Sequence, residues 1–316
     1  MVQGSDSHCS ACRNGCGRSL KSHGSTPSSE SQRHSNRRRR IDPLTPARSI
    51  IKLVDYVGAA WFELNEFIGS LVWLFVDAFT WIYRSLVLRQ VRIGRSALVT
   101  QILRVGVRSI AIVSLVSGCI GFILALQTAP SLAQFGQVDK VANLVGVAVL
   151  RELGPLIAAV VLTGFAGASI AAEIGTMVVN EEIEALESMA LNPIRFLVVP
   201  RLIATAISLF LLTIIGDLCA VFAGGVVGVV FLDIPYEVYK LNTLQQLTTS
   251  DFSTGLIKSI MFGTVLGLIA CRNGLRVSGG AAGVGKATTD TVVQTIVTVI
   301  FLDLGFTAFF YAVGWT

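Results

Sequence analysis

The sequence predicts an all-α integral membrane protein: an N-terminal interfacial helix, then five transmembrane helices, with a short cytoplasmic helix between the second and third spans. Three observations predict it. The 316-residue chain is 53% hydrophobic and only 14% charged, where a soluble domain carries about 25% charged residues. Its mean hydropathy is +0.68, and the apolar residues come in blocks that approach or exceed the roughly 20 needed to cross about 30 Å of hydrocarbon. Lysines and arginines gather at alternate block ends, which orients the spans.

The formal charge of +5 belongs to the N-terminal tail. Residues 1–40 hold eight Lys/Arg and two acids, so the remaining 276 residues sum to −1. The basic balance therefore gives no reason to expect a nucleic-acid partner. Residues 1–49 read as a disordered basic, Ser-rich tail ending at Pro43 and Pro46, with order beginning near Ile50. The tail lacks the apolar stretch of a secretory signal; its serines and arginines match an organelle transit peptide and equally a solvated extension. Cys9, Cys12 and Cys16 lie near His8 and His23, but they lack the two paired half-sites of a zinc module, so no metal is expected. Cys119, Cys219 and Cys271 fall in apolar blocks and read as small hydrophobes.

Residues 54–88 carry Glu63, Glu66, Ser70 and Asp77 on one helical stripe, with Trp61, Trp73 and Trp81 nearby. A polar stripe plus tryptophans suits a helix lying in the interface; a sixth span is the competing reading. The five spans fall at about 109–128, 143–172, 202–232, 256–271 and 291–313. The arginines of 84–108, with Arg195, Arg201, Arg272, Arg276 and Lys286, place the N-terminus inside and the C-terminus outside. Gly164 with Ala168, Gly224 with Gly228, and Gly263 with Gly267 have the spacing that lets membrane helices approach closely.

Between the second and third spans, residues 180–190 read as an amphipathic helix. Ile183, Leu186 and Ala190 would face the bundle, and Glu181, Glu184 and Glu187 the cytosol, with Asn192-Pro193 ending it. This helix is either a docking element or a solvated loop. Arg151 and Glu152 interrupt the second span near its outer end, where a charge must be paired or face a wet cavity. An Arg–carboxylate pair and an Arg151–phosphate contact are the two readings. Asp217 and Asp303 are intramembrane acids: proton relays in one reading, interhelical hydrogen bonds in the other. Residues 280–287 almost spell a phosphate-binding P-loop, but Ala287 stands where the magnesium-binding Ser or Thr belongs, and the segment reads as a short loop between two spans. His8, His23 and His34 all lie in the tail, which excludes histidine-based catalysis in the body.

Three segments in order carry a resemblance. They are Leu150-Arg151-Glu152-Leu153-Gly154-Pro155, the block from Glu173 to Arg201, and AAGVGKATTDTVV at 281–293. Over residues 50–316 the chain resembles the MlaE/YrbE-type permeases of MCE-associated ABC transporters, which include plant plastid relatives. The resemblance implies a homodimer, each copy with one interfacial helix and five spans. It implies a cytoplasmic ABC ATPase dimer docked on a coupling helix that carries Glu181, Glu182, Glu184 and Glu187. It implies an MCE-domain protein on the outer side and transport of phospholipids or similar hydrophobic molecules. Some complexes of this kind add a STAS-domain subunit. ATP and magnesium would sit on the ATPase, so this chain is expected to be no enzyme and to bind no cofactor. The lipid cavity is implied between the first and second spans, and Gln127, Arg151 and Glu152, with Leu124 and Leu126, match its pattern. The implied location is the bacterial inner membrane or the plastid inner envelope. Two other readings stand beside it: an ion-coupled secondary transporter using Asp217 or Asp303, and a non-transporting scaffold for an MCE protein.

Overall fold

The computed structural model describes residues 46–86 and 95–314, and among these every regular element is helical. Clustering of the backbone separates residues 1–59 from 60–316. The tail up to residue 45, with its histidines and N-terminal cysteines, lies outside the described residues, as do Arg89 and Arg92.

Helix α1 runs Pro46–Leu86. It starts a turn earlier than the sequence reading placed the onset of order, because proline's preset φ and missing donor suit a first helical turn. Helix α2 covers 95–133, α3 Val141–Val179, α4 Glu182–Ser188, α5 Ile194–Val230, α6 Tyr236–Gln246, α7 Thr249–Leu275 and α8 Gly280–Val313. Six of these helices contain a stretch long and apolar enough to cross a membrane: the five expected, and Trp61–Arg84 within α1. Each of the five starts before the apolar window read from the sequence, and the third ends two residues short of it, at Val230. Polar and glycine-rich flanks continue the helix outside the hydrocarbon, which hydropathy alone does not register.

Helix α7 is the hub. Of its apolar window 67% is buried, against 11% for α8 and 6% for α1. Glycines set this arrangement. A Cβ at Gly263 or Gly267 would press on Ala206, Thr205 and Leu202 of α5, and one at Gly274 on Ile174 and Ala171 of α3. A Cβ at Gly255 would collide with the Leu150 carbonyl of α3, and one at Gly121 in α2 with the Ala220 carbonyl of α5. In lipid, where water drives no helix association, such close backbone approach supplies the packing.

The other glycine pairs turn out differently. Gly228 receives the ring of Tyr239, from the short helix α6, while Gly224 packs against Val145 of α3, the Gly121 carbonyl of α2 and the Tyr239 hydroxyl. Burial there pushes the Tyr239 phenol up to about 12. Gly164 has open space where its Cβ would be, so no close helix approach needs glycine there.

Four helical stretches widen to π turns, two of them just ahead of prolines: Val149–Leu153 before Pro155, and Ile194–Val198 before Pro200. A proline donates no hydrogen bond and its ring crowds the carbonyl four residues back, so an inserted residue relieves both problems. The first of these turns carries Arg151 and Glu152.

The segment from residue 280, expected as a loop, is instead the start of α8. Gly279 and Gly280 turn the chain with φ of 84° and 71°. Alanines follow, Gly283 packs on the Ser278 carbonyl, and the Thr288 hydroxyl bonds back to the Gly285 carbonyl at 2.6 Å. No strand precedes it among the described residues, so the P-loop likeness ends in the letters.

Gly121→Ala and Gly255→Ala should each lower the thermal midpoint of the purified chain, since overpacking costs about 1–3 kcal/mol. Gly285→Ala, helical and with open space at the Cβ, should hold or raise it, as alanine is the better helix former by about 1 kcal/mol. Equal midpoints for all three would contradict the close-approach account.

Candidate functional site

A belt of charge crosses the outer half of the bundle. Glu152 lies 11 residues into α3 from its outer end, Lys258 nine into α7, and Asp303 ten from the outer end of α8. At 1.5 Å per residue all three sit roughly 14 to 17 Å along their helices. The three side chains meet. Lys258 Nζ lies 2.8 Å from Glu152 Oε2, 2.9 Å from Asp303 Oδ1 and 2.9 Å from Thr307 Oγ1. The Thr307 oxygen is also 2.9 Å from Glu152 Oε1. The Lys258 ammonium donates to the Thr307 hydroxyl and pairs with two carboxylates. Lys258 is 1% exposed, so a charge that would be expensive alone is fully compensated.

Arg151 turns to another partner. Its Nε pairs with Asp251 Oδ1 at the outer end of α7. Asp251 is already fixed by a capping box: its Oδ2 accepts from the Thr248 N–H at 3.0 Å and from the Thr248 hydroxyl at 2.8 Å. The expected Arg–carboxylate pair therefore exists, but with Asp251 and not with the adjacent Glu152. Two neighbours in one π turn hold α7 at two points about two turns apart.

Asp217 of α5 is the belt's open valence. It is 5% exposed, and its Oδ1 has no hydrogen-bond partner. It sits where a Cβ at Gly154 would be, directly beside the π turn. The expected interhelical hydrogen bond is absent for Asp217 among the described residues; Asp303 instead makes an ion pair with Lys258. An unpaired buried carboxylate is costly, which makes this a point where the packing has a second arrangement within reach.

The remaining cavity candidates scatter. Leu124 is half-buried and packs with Val149 and Leu150 beneath the π turn. Leu126 and Gln127 lie on the exposed face of α2, and the Gln127 side chain makes no hydrogen bond among the described residues. Arg151 and Glu152 retain partly exposed side chains, 27% and 38%, so the belt opens toward one side of the bundle.

The sequence reading missed Asp251, Lys258 and Thr307. A signal was present: one lysine and two acids at equal depth in three apolar helices, which charge neutrality alone would pair.

On the other end of the bundle, α4 is shorter than expected. Glu181 (φ 59°) and Ala190 (φ 58°) are both left-handed and bracket it. Ile183 packs onto the main core and Leu186 is half-buried, while Glu181, Glu182, Glu184 and Glu187 are all exposed. Ala190, expected toward the bundle, is exposed, because the helix ends at Ser188 and the left-handed residue turns the chain away. Asn192 then accepts from the Ile194 N–H at 2.9 Å and starts α5.

Residues 98–309 match the family model described as permease MlaE. A probable ABC transporter permease of Rickettsia prowazekii is 37% identical over 218 residues, covering 69% of this chain and 84% of the relative. Similar proteins of the same description occur in Synechocystis, 36% identical over 66% of this chain and 80% of the relative, and in the red alga Pyropia yezoensis, 34% identical over 71% and 85%. The belt and the exposed acidic helix are thus features of a chain that belongs to the MlaE permease family, a multi-pass membrane subunit of the ABC transporter type.

Proposed function

We propose that the chain moves phospholipids, or lipids of similar amphipathic chemistry, between the membrane in which it sits and the space outside it. It works as a homodimer, with a cytoplasmic ATPase dimer seated on α4 and an MCE-domain protein on the outer face. The observation that carries this reading is the belt. A phospholipid headgroup joins a phosphate to a cationic or polar group. The π turn offers a guanidinium and a carboxylate side by side, each partly exposed and each held by a protein partner that a headgroup could replace. Arg151 suits the phosphate through paired N–H donors, and Glu152 suits an ammonium. Exchanging Asp251 or Lys258 for a headgroup would loosen α7 from α3, so lipid binding and helix spacing are linked.

The ATPase reaches the belt through covalent geometry. Helix α4 joins α3 to α5, and these helices carry Arg151, Glu152 and Asp217. A push on α4 therefore acts on both helices that flank the belt. ATP and magnesium act on the ATPase; this chain supplies the site and the moving bundle.

Helix α1 fits the interfacial placement. Glu66 pairs with Arg276, Ser70 accepts from Arg272 Nε, Arg272 lies over Phe67, and Arg195 lies over Trp81. From Glu66 to Trp81 is roughly 22 Å of helix, yet all of its partners lie in the arginine-rich end layer. A helix crossing the bilayer upright would leave that layer within a turn or two. The competing ion-coupled reading loses its second acid, because Asp303 is held by Lys258.

Glu184→Lys with Glu187→Lys should leave the dimer intact by size exclusion and drop lipid-stimulated ATPase activity to the basal level; unchanged stimulation would sink the docking assignment. The pair Arg151→Gln with Asp251→Asn keeps the site neutral and should lower co-purified phospholipid severalfold. Wild-type lipid content in that variant would remove Arg151 from the lipid site.

A further inference from the structure

A second cationic pocket lies at the opposite end of the bundle from the belt, and the proposed function leaves it unused. Glu152 and Glu173 both lie on α3, 21 residues apart, which is roughly 30 Å of helix. The pocket encloses about 140 Å³ between α2 and α3, lined by Gln101, Arg104, Arg108, Phe165, Ser169 and Glu173 among others. That leaves room for a small polar group at the arginines.

Its charge is unbalanced. Glu173 is its sole acid, and it is shared by Arg104 and by Arg201 Nη2, the latter at 3.4 Å. Arg201 is 7% exposed, and its Nε and Nη1 have no partner. Among the described residues Arg108, one turn beyond Arg104 on the same face, makes no hydrogen bond or ion pair, and neither Gln101 nor Ser169 makes a side-chain hydrogen bond. Two guanidinium groups, Arg104 and Arg108, thus line the pocket with one carboxylate, which Arg201 also engages from outside the lining. The walls explain which anion would come. Leu103 and Val107, next to the two arginines, are each 55% exposed, and Phe165 is 38% exposed at the pocket. Cationic donors bordered by bare apolar surface match a phosphate that carries acyl chains, better than a free ion.

We propose that this pocket binds the phosphate of an anionic lipid drawn from the leaflet at the arginine-rich end. The site is separate from the belt and independent of which lipid is transported. Arg104 and Arg108 hold the phosphate oxygens, Ser169 and Gln101 donate to it, and Glu173 competes with it for Arg104.

The test is native mass spectrometry of the full chain in neutral detergent, titrated with phosphatidylglycerol or phosphatidylcholine, with and without inorganic phosphate. The wild type should retain phosphatidylglycerol preferentially. Arg108→Gln breaks no internal pair, so it should fold normally and weaken that retention about fivefold, as loss of one charge-assisted contact does. Glu173→Gln removes the competing carboxylate and should strengthen retention, a change of opposite sign that a merely structural role would not give. Undiminished phosphatidylglycerol retention in Arg108→Gln overturns the proposal. Displacement of the lipid by inorganic phosphate at equal affinity would assign the site to the free ion and overturn the lipid source. If Arg108→Gln keeps its lipid and instead loses a co-purifying protein, the pocket is a protein contact and the proposal fails.

Discussion

Lys258 constrains the rest of the bundle. A buried ammonium in a membrane protein is tolerated only when its donors are satisfied and its charge is matched. Meeting that demand requires carboxylates from two other helices, Glu152 and Asp303, at the same depth. Glu152 in turn needs a π turn before Pro155, and the close approach of α7 to that turn needs Gly255. Asp251 closes the second point of attachment while capping α7. Removing one partner alone would strand a buried charge, so these residues behave as a unit.

That unit is also where the bundle can change. The apolar contacts among α2, α5 and α7 rest on glycines and small side chains that fit one spacing. The belt is different in kind: its partners can be exchanged for water or for a headgroup of the same charge. Asp217, buried and unpartnered beside Gly154, marks a place where the resting arrangement leaves a buried polar atom unsatisfied. A transporter needs two packings separated by a few kcal/mol, and exchangeable ion pairs supply that more readily than interlocked apolar surfaces do.

Much of this was legible in the letters. The spans and the exposed acids of residues 181–187 follow from hydropathy and charge placement, and the motif singled out Arg151 and Glu152. The pairing did not follow, because a sequence gives depth but not azimuth. Lys258, Glu152 and Asp303 match in depth, yet only the packing of α7 shows that they face one another. Residues 280–287 were misread because glycine and alanine serve loops in water and close-packed helices in membranes alike. Tyr239 was invisible as the ring that packs on Gly228, since its helix lies outside the apolar blocks. Ala190 was placed by ideal periodicity, which a left-handed residue interrupts.

The most direct test neutralises the belt as a whole, with Lys258→Met, Glu152→Gln and Asp303→Asn in one chain. Replacing a complete buried ion network by neutral groups often leaves stability intact, so the variant should fold, dimerise and bind its ATPase. The account predicts that ATP-driven lipid movement by the reconstituted complex is lost while basal ATP hydrolysis persists. Lipid movement at the wild-type rate would show that the belt only holds the helices together, and would contradict the claim that exchange of its partners drives the transport cycle.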